Sequence, residues 1–416
     1  LTEYETEFSE FPKDCEVKRL NELAKIIMGQ SPPSSAYNDK GQGLPFIQGS
    51  KDFGDIYPSI KTFTTICKKI APKDSILFSV RAPVGDINIS DREICIGRGI
   101  AAIVPYNKTD LLYLYYYLTY SAFKIKRYSS GTTFESIKER DLENFQITLP
   151  PLDERKKIVK ILNAVDFIIT DTTNLIEKLR VIKEKALHLL ITGSIWHKEF
   201  VKTDIGEFPK DWEVKRLSEI AKIESGKREK GGGKETGEVI SLGGEHISPD
   251  GKIILNSPKY ISKKFYDSLK SGKVKEKDII LVKDGATTGK AAFLEKFPAK
   301  EVAVNEHLFI IRSKTSNIDQ KFLYYIIISN IFQNQIKSLF HGIIGGITKS
   351  EIEVVYIPIP PLEEQKKIVE ILTTIDNKIE TETKYLDYMK KLKEKLLAAL
   401  MTGKIRVNSI AIGDLK

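Results

Sequence analysis

The sequence predicts an α+β protein of duplicated design: two similar mixed α/β domains joined by two long antiparallel helices that form a coiled-coil spacer. Three observations carry this expectation. The 416-residue chain exceeds what one hydrophobic core usually holds. Its opening is written twice, as FPKDCEVKRL from Phe11 and FPKDWEVKRL from Phe208, altered only at Cys15/Trp212. After each of two Pro-Pro-Leu segments, moreover, the apolar residues fall into a 3-4 spacing.

The repetition extends beyond the openings. Those stand 197 positions apart, and Asp74-Ser-Ile-Leu-Phe then matches Asp278-Ile-Ile-Leu-Val at an offset of 204. LPPLDERKKIVKIL (Leu149 to Leu162) returns as IPPLEEQKKIVEIL (Ile359 to Leu372), 210 positions later. The same offset relates Lys183-Glu-Lys to Lys393-Glu-Lys and Thr192-Gly to Thr402-Gly. Ordered matches with growing offsets indicate duplication, and they divide the chain. Residues 1–152 form a first domain, 153–192 a helix, 193–206 a linker, 207–362 a second domain, 363–403 a second helix and 404–416 a tail.

In the first helix the 3-4 spacing selects Ile158, Leu162, Val165, Ile169, Thr172, Ile176, Leu179, Lys183, Ala186 and Leu190. The second copy selects Ile368, Leu372, Ile375, Ile379, Glu382, Leu386, Met389, Lys393, Leu396 and Leu400. This is a coiled-coil seam of about five heptads. Pro-Pro gives a sharp start, Gly193 and Gly403 the stop. About 40 residues at about 1.5 Å each make a rod of roughly 60 Å. Antiparallel pairing is expected, because only the short link from Ser194 to Gly206 separates the first helix from the second domain.

Within each domain, short β-type runs (Ser75 to Val80, Ile279 to Val282) lead into turns at Gly85 and Gly289. One helix follows in each, Asp110 to Arg127 and Ile318 to Lys337. The aromatic run LLYLYYYLTYSAF in the first could stack on nucleobases, but at helical spacing it reads better as packed core.

A formal charge of +9 favours a polyanionic partner. The hydrophobic fraction of 41% fits a soluble globular chain, and no apolar run approaches a bilayer span, so a cytoplasmic protein without membrane contact is expected. Cys15, Cys67 and Cys95 form no C-x-x-C pair; they read as isolated, reduced residues, with neither a zinc site nor a disulfide framework.

Tests for catalytic chemistry fail. Asp284-Gly-Ala-Thr-Thr-Gly-Lys-Ala has three residues between its glycines where a phosphate-binding loop needs four, and Ala291 stands where that loop needs Ser or Thr. The repeated Glu-Val-Lys at Glu16 and Glu213 fits a short nuclease element, yet Asp14 and Asp211, two residues upstream, are badly spaced to complete a metal site. Ser31-Pro-Pro-Ser34 lacks the polar amide or carboxylate of an amino-methyltransferase motif. The five histidines form no i, i+4 pair. No catalytic, cofactor or metal residue is therefore expected.

The paired openings, the paired PPLDERKKIVKIL and PPLEEQKKIVEIL segments and the paired KEK-to-TG helix ends together resemble the specificity subunit of type I restriction–modification systems. The resemblance spans nearly the whole chain. It implies two target-recognition domains, each reading half of a bipartite double-stranded DNA site, with the helices as spacer. It also implies docking of two methylation subunits, and of restriction subunits in the full complex. S-adenosylmethionine, ATP and magnesium would belong to those partners. Because such domains vary, DNA-contacting candidates are chosen on chemistry and loop position alone. They are Gln48, Ser50, Lys51, Arg81, Arg98, Thr132 and Thr133 in the first domain, and Lys227, Arg228, Lys230, Lys234, Lys283, Lys290 and His307 in the second. Two rivals remain at this stage: a nuclease built on Glu-Val-Lys, and a two-headed scaffold that binds no DNA.

Overall fold

The computed structural model describes residues 14–128, 136–296, 301–340 and 346–407. The chain forms two compact units, Leu1–Thr173 with Lys384–Lys416, and Asn174–Thr383. Each unit contains one globular part, the first half of its own long helix and the last part of the other helix.

The first unit opens with β1 (Glu16–Arg19) and β2 (Ala24–Met28), followed by β3 (Leu44–Ile47), β4 (Ile76–Ser79), β5 (Ile87–Ile89), β6 (Ile94–Ile96) and β7 (Ile100–Pro105). Then come α1 (Leu111–Tyr128), β8 (Gln146–Leu149) and α2 (Leu152–Ile191). Strands β2-β7-β4-β5 make an antiparallel sheet, while β3 and β6 pair in parallel within a second sheet, Phe46 opposite Cys95. The first sheet is covered on both faces, which is why ILFS in β4 is apolar almost throughout. Ile76, Phe78, Ala101 and Ile103 face the helix side, and Leu77, Ile100 and Ala102 the second sheet.

The second unit repeats this plan with β9 (Glu213–Arg216), β10 (Ala221–Ser225), β11 (Val239–Leu242), β12 (Ile279–Val282), β13 (Ala291–Phe293), β14 (Val302–Val304) and β15 (Leu308–Ser313). It continues with α3 (Gln320–Ile328), α4 (Asn330–Lys337), β16 (Tyr356–Ile359) and α5 (Leu362–Met401). Its sheet order is β10-β15-β12-β13, and β11 pairs in parallel with β14.

The repeated segments prove to be structural partners. β1 pairs antiparallel with β8, Glu16 opposite Leu149, and β9 with β16, Glu213 opposite Ile359. The domain opening thus holds the strand that runs into each Pro-Pro and sets where the long helix starts.

Both long helices contain 40 residues. In the first unit Ile158 and Leu162 of α2 share a core with Leu397, Leu400 and Met401 from the end of α5. In the second, Leu190 and Ile191 share a core with Ile368 and Leu372. In each unit rising numbers on one helix meet falling numbers on the other, so the pairing is antiparallel. Full burial of such a side chain contributes about 1.5–3 kcal/mol. Val165, Ile176, Leu386 and Met389 are also buried, and Ile169, Leu179, Ile375, Ile379 and Leu396 half-buried. Gly193 and Gly403 end the helices at φ of 70° and 68°.

Several expectations are corrected. The helix expected from Ile318 to Lys337 breaks at Ser329, whose N–H and Oγ both turn to Ile326 O (3.0 and 2.6 Å). The linker of 193–206 contains a strand: Phe200–Thr203 pairs with Gly206–Pro209. Cys67 and Cys95 are joined in a disulfide rather than isolated, because the sheet around β6 brings together residues 28 positions apart. The Asp74/Asp278 match is shifted by one residue. Ser79 opposite Ile100 corresponds to Val282 opposite Leu308, and the left-handed Asp74 to Lys277, an offset of 203. The aromatic run, by contrast, is packed core as expected, with Tyr113, Tyr115, Tyr116 and Tyr117 all buried. Among the described residues no helix is long and apolar enough to cross a membrane.

Candidate nucleic-acid interface

Three first-domain candidates meet at the end of the β4/β7 ladder. Val80 N–H donates to Gly99 O at 2.9 Å, and Arg81 and Arg98, each the chain neighbour of one end of this bond, are both exposed. The turn carrying Arg98 packs directly on the backbone at Gln48. A Cβ at Gly99 would sit 2.4 Å from Gln48 O, and one at Gly97 3.0 Å from Gln48 Cα. Ser31 Oγ accepts the Arg98 N–H at 3.2 Å. Ser50 and Lys51 lie on the 3-10 turn Ser50–Asp52, with Lys51 exposed. Thr132 and Thr133 lie outside the described residues.

The corresponding corner of the second domain carries different chemistry. Lys283 N–H donates to His307 O at 3.0 Å, with Asp284 and Glu306 the chain neighbours of its two ends. His307 Nδ1 lies 2.5 Å from Asp284 Oδ1; its Nε2 is 3.5 Å from Glu306 Oε1, and Arg228 Nη1 is 3.4 Å from the same oxygen. The exposed side chains of Lys227, Arg228, Lys230 and Lys234 occupy one loop. Ser262 N–H donates to Glu229 at 3.1 Å, and Lys234 and Tyr260 exchange backbone bonds of 2.9 Å, anchoring it. A cleft of about 280 Å³ beside this loop is lined by Lys227, Arg228, Asn305, Glu306 and His307. Lys283 and Lys290 are half-buried, with Lys283 Nζ 5.4 Å from the Phe309 ring centroid. Asp284 and Glu306, which share this corner with His307, were not among the candidates chosen from the sequence.

The Glu-Val-Lys elements lie on the exposed strands β1 and β9, where Glu16 pairs with Lys18 at 2.8 Å and Glu213 with Lys215. Among the described residues the group with metal-ligand chemistry is His197, Asp211 and Glu364. His197 presents Nε2 to Glu364 (2.9 Å) and Nδ1, on the other side of the ring, to Asp211 (3.4 Å). The imidazole thus bridges two carboxylates, one through each ring nitrogen. In the first unit the corresponding carboxylates, Asp14 and Glu154, are bridged by Arg406.

Residues 12–181 and 209–390 match the family model for the type I restriction modification DNA specificity domain, once in each half of the chain. The chain belongs to this family. It is 29% identical over 412 residues to the type I restriction enzyme MjaVIII specificity subunit of Methanocaldococcus jannaschii, covering 96% of this chain and 95% of that one. A match to the putative MjaX specificity subunit of the same organism is 45% identical over 193 residues, but spans only 46% of this chain and 45% of that relative. The fold is that of the crystallised type I restriction-modification S subunit from M. genitalium, with a TM-score of 0.60 at 17% identity, covering 93% and 96% of the two chains. In this member of the specificity family, the two copies differ at the same loop corner: arginines in one, carboxylates with His307 and Arg228 in the other.

Proposed function

We propose that this chain is the DNA-reading subunit of a type I restriction–modification complex, each globular domain reading one half of a bipartite double-stranded site. The observation that carries this is a duplicated fold with matched helices and strands but different side chains at the same exposed corner. Matched frameworks place two readers alike, and different corners let them read different sequences. Exposed lysines and arginines would supply the sequence-independent affinity through phosphates.

The long helices serve as the spacer and as the dock for two methylation subunits, through which restriction subunits join. Exposed apolar side chains on them support docking: Phe167 and Tyr388 in the first unit, Val181 and Ile182 in the second. S-adenosylmethionine, ATP and magnesium chemistry belongs to the partners, and the chain itself is non-catalytic. Methylome sequencing of cells expressing this chain with a matching methylation subunit tests the reading. A bipartite methylated motif is expected; a continuous motif, or robust methylation or cleavage by the isolated chain, would overturn it.

A further inference from the structure

The two domains carry opposite charge at one pair of structurally equivalent positions. The bridge between Arg81 and Ser136 in the first unit has its counterpart between Asp284 and Gly346 in the second, so Arg81 corresponds to Asp284. Ala101 opposite Met28 corresponds to Phe309 opposite Ser225, which places Arg98 against Glu306. Two arginines thus flank the Val80–Gly99 backbone bond where the other copy has two carboxylates beside the equivalent Lys283–His307 bond.

In the second domain both carboxylates have partners: His307 Nδ1 on Asp284 and Arg228 on Glu306. In the first, neither arginine has an ion-pair partner among the described residues. An exposed pair of guanidiniums with no ion-pair partner among the described residues suits an acceptor-rich ligand with two adjacent oxygen or nitrogen acceptors. The Arg228–Glu306 contact of 3.4 Å is looser than a full charge-assisted bond, so Glu306 keeps lone pairs available for a donor.

We propose that this corner is the base-reading position of both domains, with Arg81 and Arg98 taking guanine in one half-site and Asp284 and Glu306 taking cytosine in the other. Guanine offers O6 and N7 as paired major-groove acceptors, whereas cytosine offers its N4 amino group as donor. His307 and Arg228 hold the carboxylates in place. The inference rests on the DNA-reading role proposed above and names the base chemistry of that site.

The test uses the full chain with its methylation partner. Arg81→Gln, Arg98→Gln, Asp284→Asn and Glu306→Gln variants are made, and the methylated motif is read for each. Each first-domain change should lower methylation of the wild-type motif about ten- to one-hundred-fold relative to a motif with adenine at the affected guanine, since Gln suits adenine. The other half-site should be unchanged. Asp284→Asn and Glu306→Gln should do the same at a cytosine of the second half-site. DNA-binding measurements on the same complexes, with the base replaced, should give losses that are not additive with the side-chain change. Equal weakening at all sequences would identify phosphate contacts and overturn the assignment, as would wild-type half-sites with additive losses. If the wild-type complex itself yields no bipartite motif, the functional reading fails instead.

Discussion

Lys393 of α5 meets Asp166 of α2 at 2.5 Å, and Tyr116 donates its hydroxyl to the same carboxylate at 2.7 Å. The second unit repeats the arrangement with Lys183, Asp376 and Tyr325, at 2.5 and 2.8 Å. What reads in the sequence as a lysine interrupting an apolar seam is therefore one side of a recurrent polar clasp. Burial, and then the bond to Asp166, push the Tyr116 phenol above its ordinary pKa, so it remains a donor.

Asp166 is only 8% exposed, so removing its cation strands a covered charge. Lys393→Met should lower stability by about 1–3 kcal/mol, a range reduced because the lysine is partly solvated. Adding Asp166→Leu should recover much of the loss. Denaturant unfolding of the two variants checks this, and a double variant no more stable than the single one would contradict the clasp.

A second clasp fixes the end of α5. Arg406 holds Glu154 at 2.5 Å, and Val407 N–H donates to the same carboxylate at 3.1 Å. The guanidinium holds the Glu154 carboxyl below its ordinary range. The folded state therefore binds fewer protons here than the unfolded chain. This stabilisation is fully present above about pH 4.3, the unfolded glutamate value, and is lost as pH falls through the lower folded value. Arg406→Ala should cost roughly 2–4 kcal/mol at neutral pH, because Glu154 is 1% exposed. The gap between wild type and variant should narrow as the pH is lowered through the acid range. Unfolding curves at several pH values measure it, and a constant gap would exclude Glu154 as the source.

The long helices were legible because one period runs through 40 residues in both copies, with Gly193 and Gly403 as stops. The Cys67–Cys95 disulfide was not, since only the sheet pairing brings the two together. The break at Ser329 depends on one hydroxyl competing for a helical carbonyl. The Arg81/Asp284 relation was hidden by short insertions and deletions. Equivalent strands lie 195, 203 and 208 residues apart at Ile47/Leu242, Ser79/Val282 and Ala101/Phe309. A match drawn at 204 aligns Arg81 with Gly285 instead. One residue of register moves every side chain to the opposite face.

Binding should weaken steeply with salt if lysines and arginines neutralise phosphates. The loop bearing Lys227, Arg228, Lys230 and Lys234 is anchored at Glu229 and Lys234, so replacing all four side chains by Ala leaves its backbone bonds intact. The log–log slope of affinity against salt should become shallower by at most about four units. Titrations at several salt concentrations check this, and an unchanged slope would remove the loop from the interface.

Gly99 gives the last prediction, because it couples packing to reading at the first corner. Its missing Cβ lets the turn lie against Gln48 O, where a methyl group would come within 2.4 Å of a backbone atom that no rotamer change can move. Gly99 N–H neighbours Arg98, and its carbonyl receives Val80 N–H, so any shift is passed directly to the Arg81/Arg98 pair. Gly99→Ala should cost about 1–3 kcal/mol by overpacking and should degrade recognition of one half-site while sparing the other. The second domain serves as internal control, since His307 occupies the corresponding position there without strain on the first unit. Methylation assays on substrates altered in one half-site at a time make the comparison. Equal loss at both half-sites would show that the substitution acts through general instability, and an unaltered first half-site would show that this turn does not position the reader.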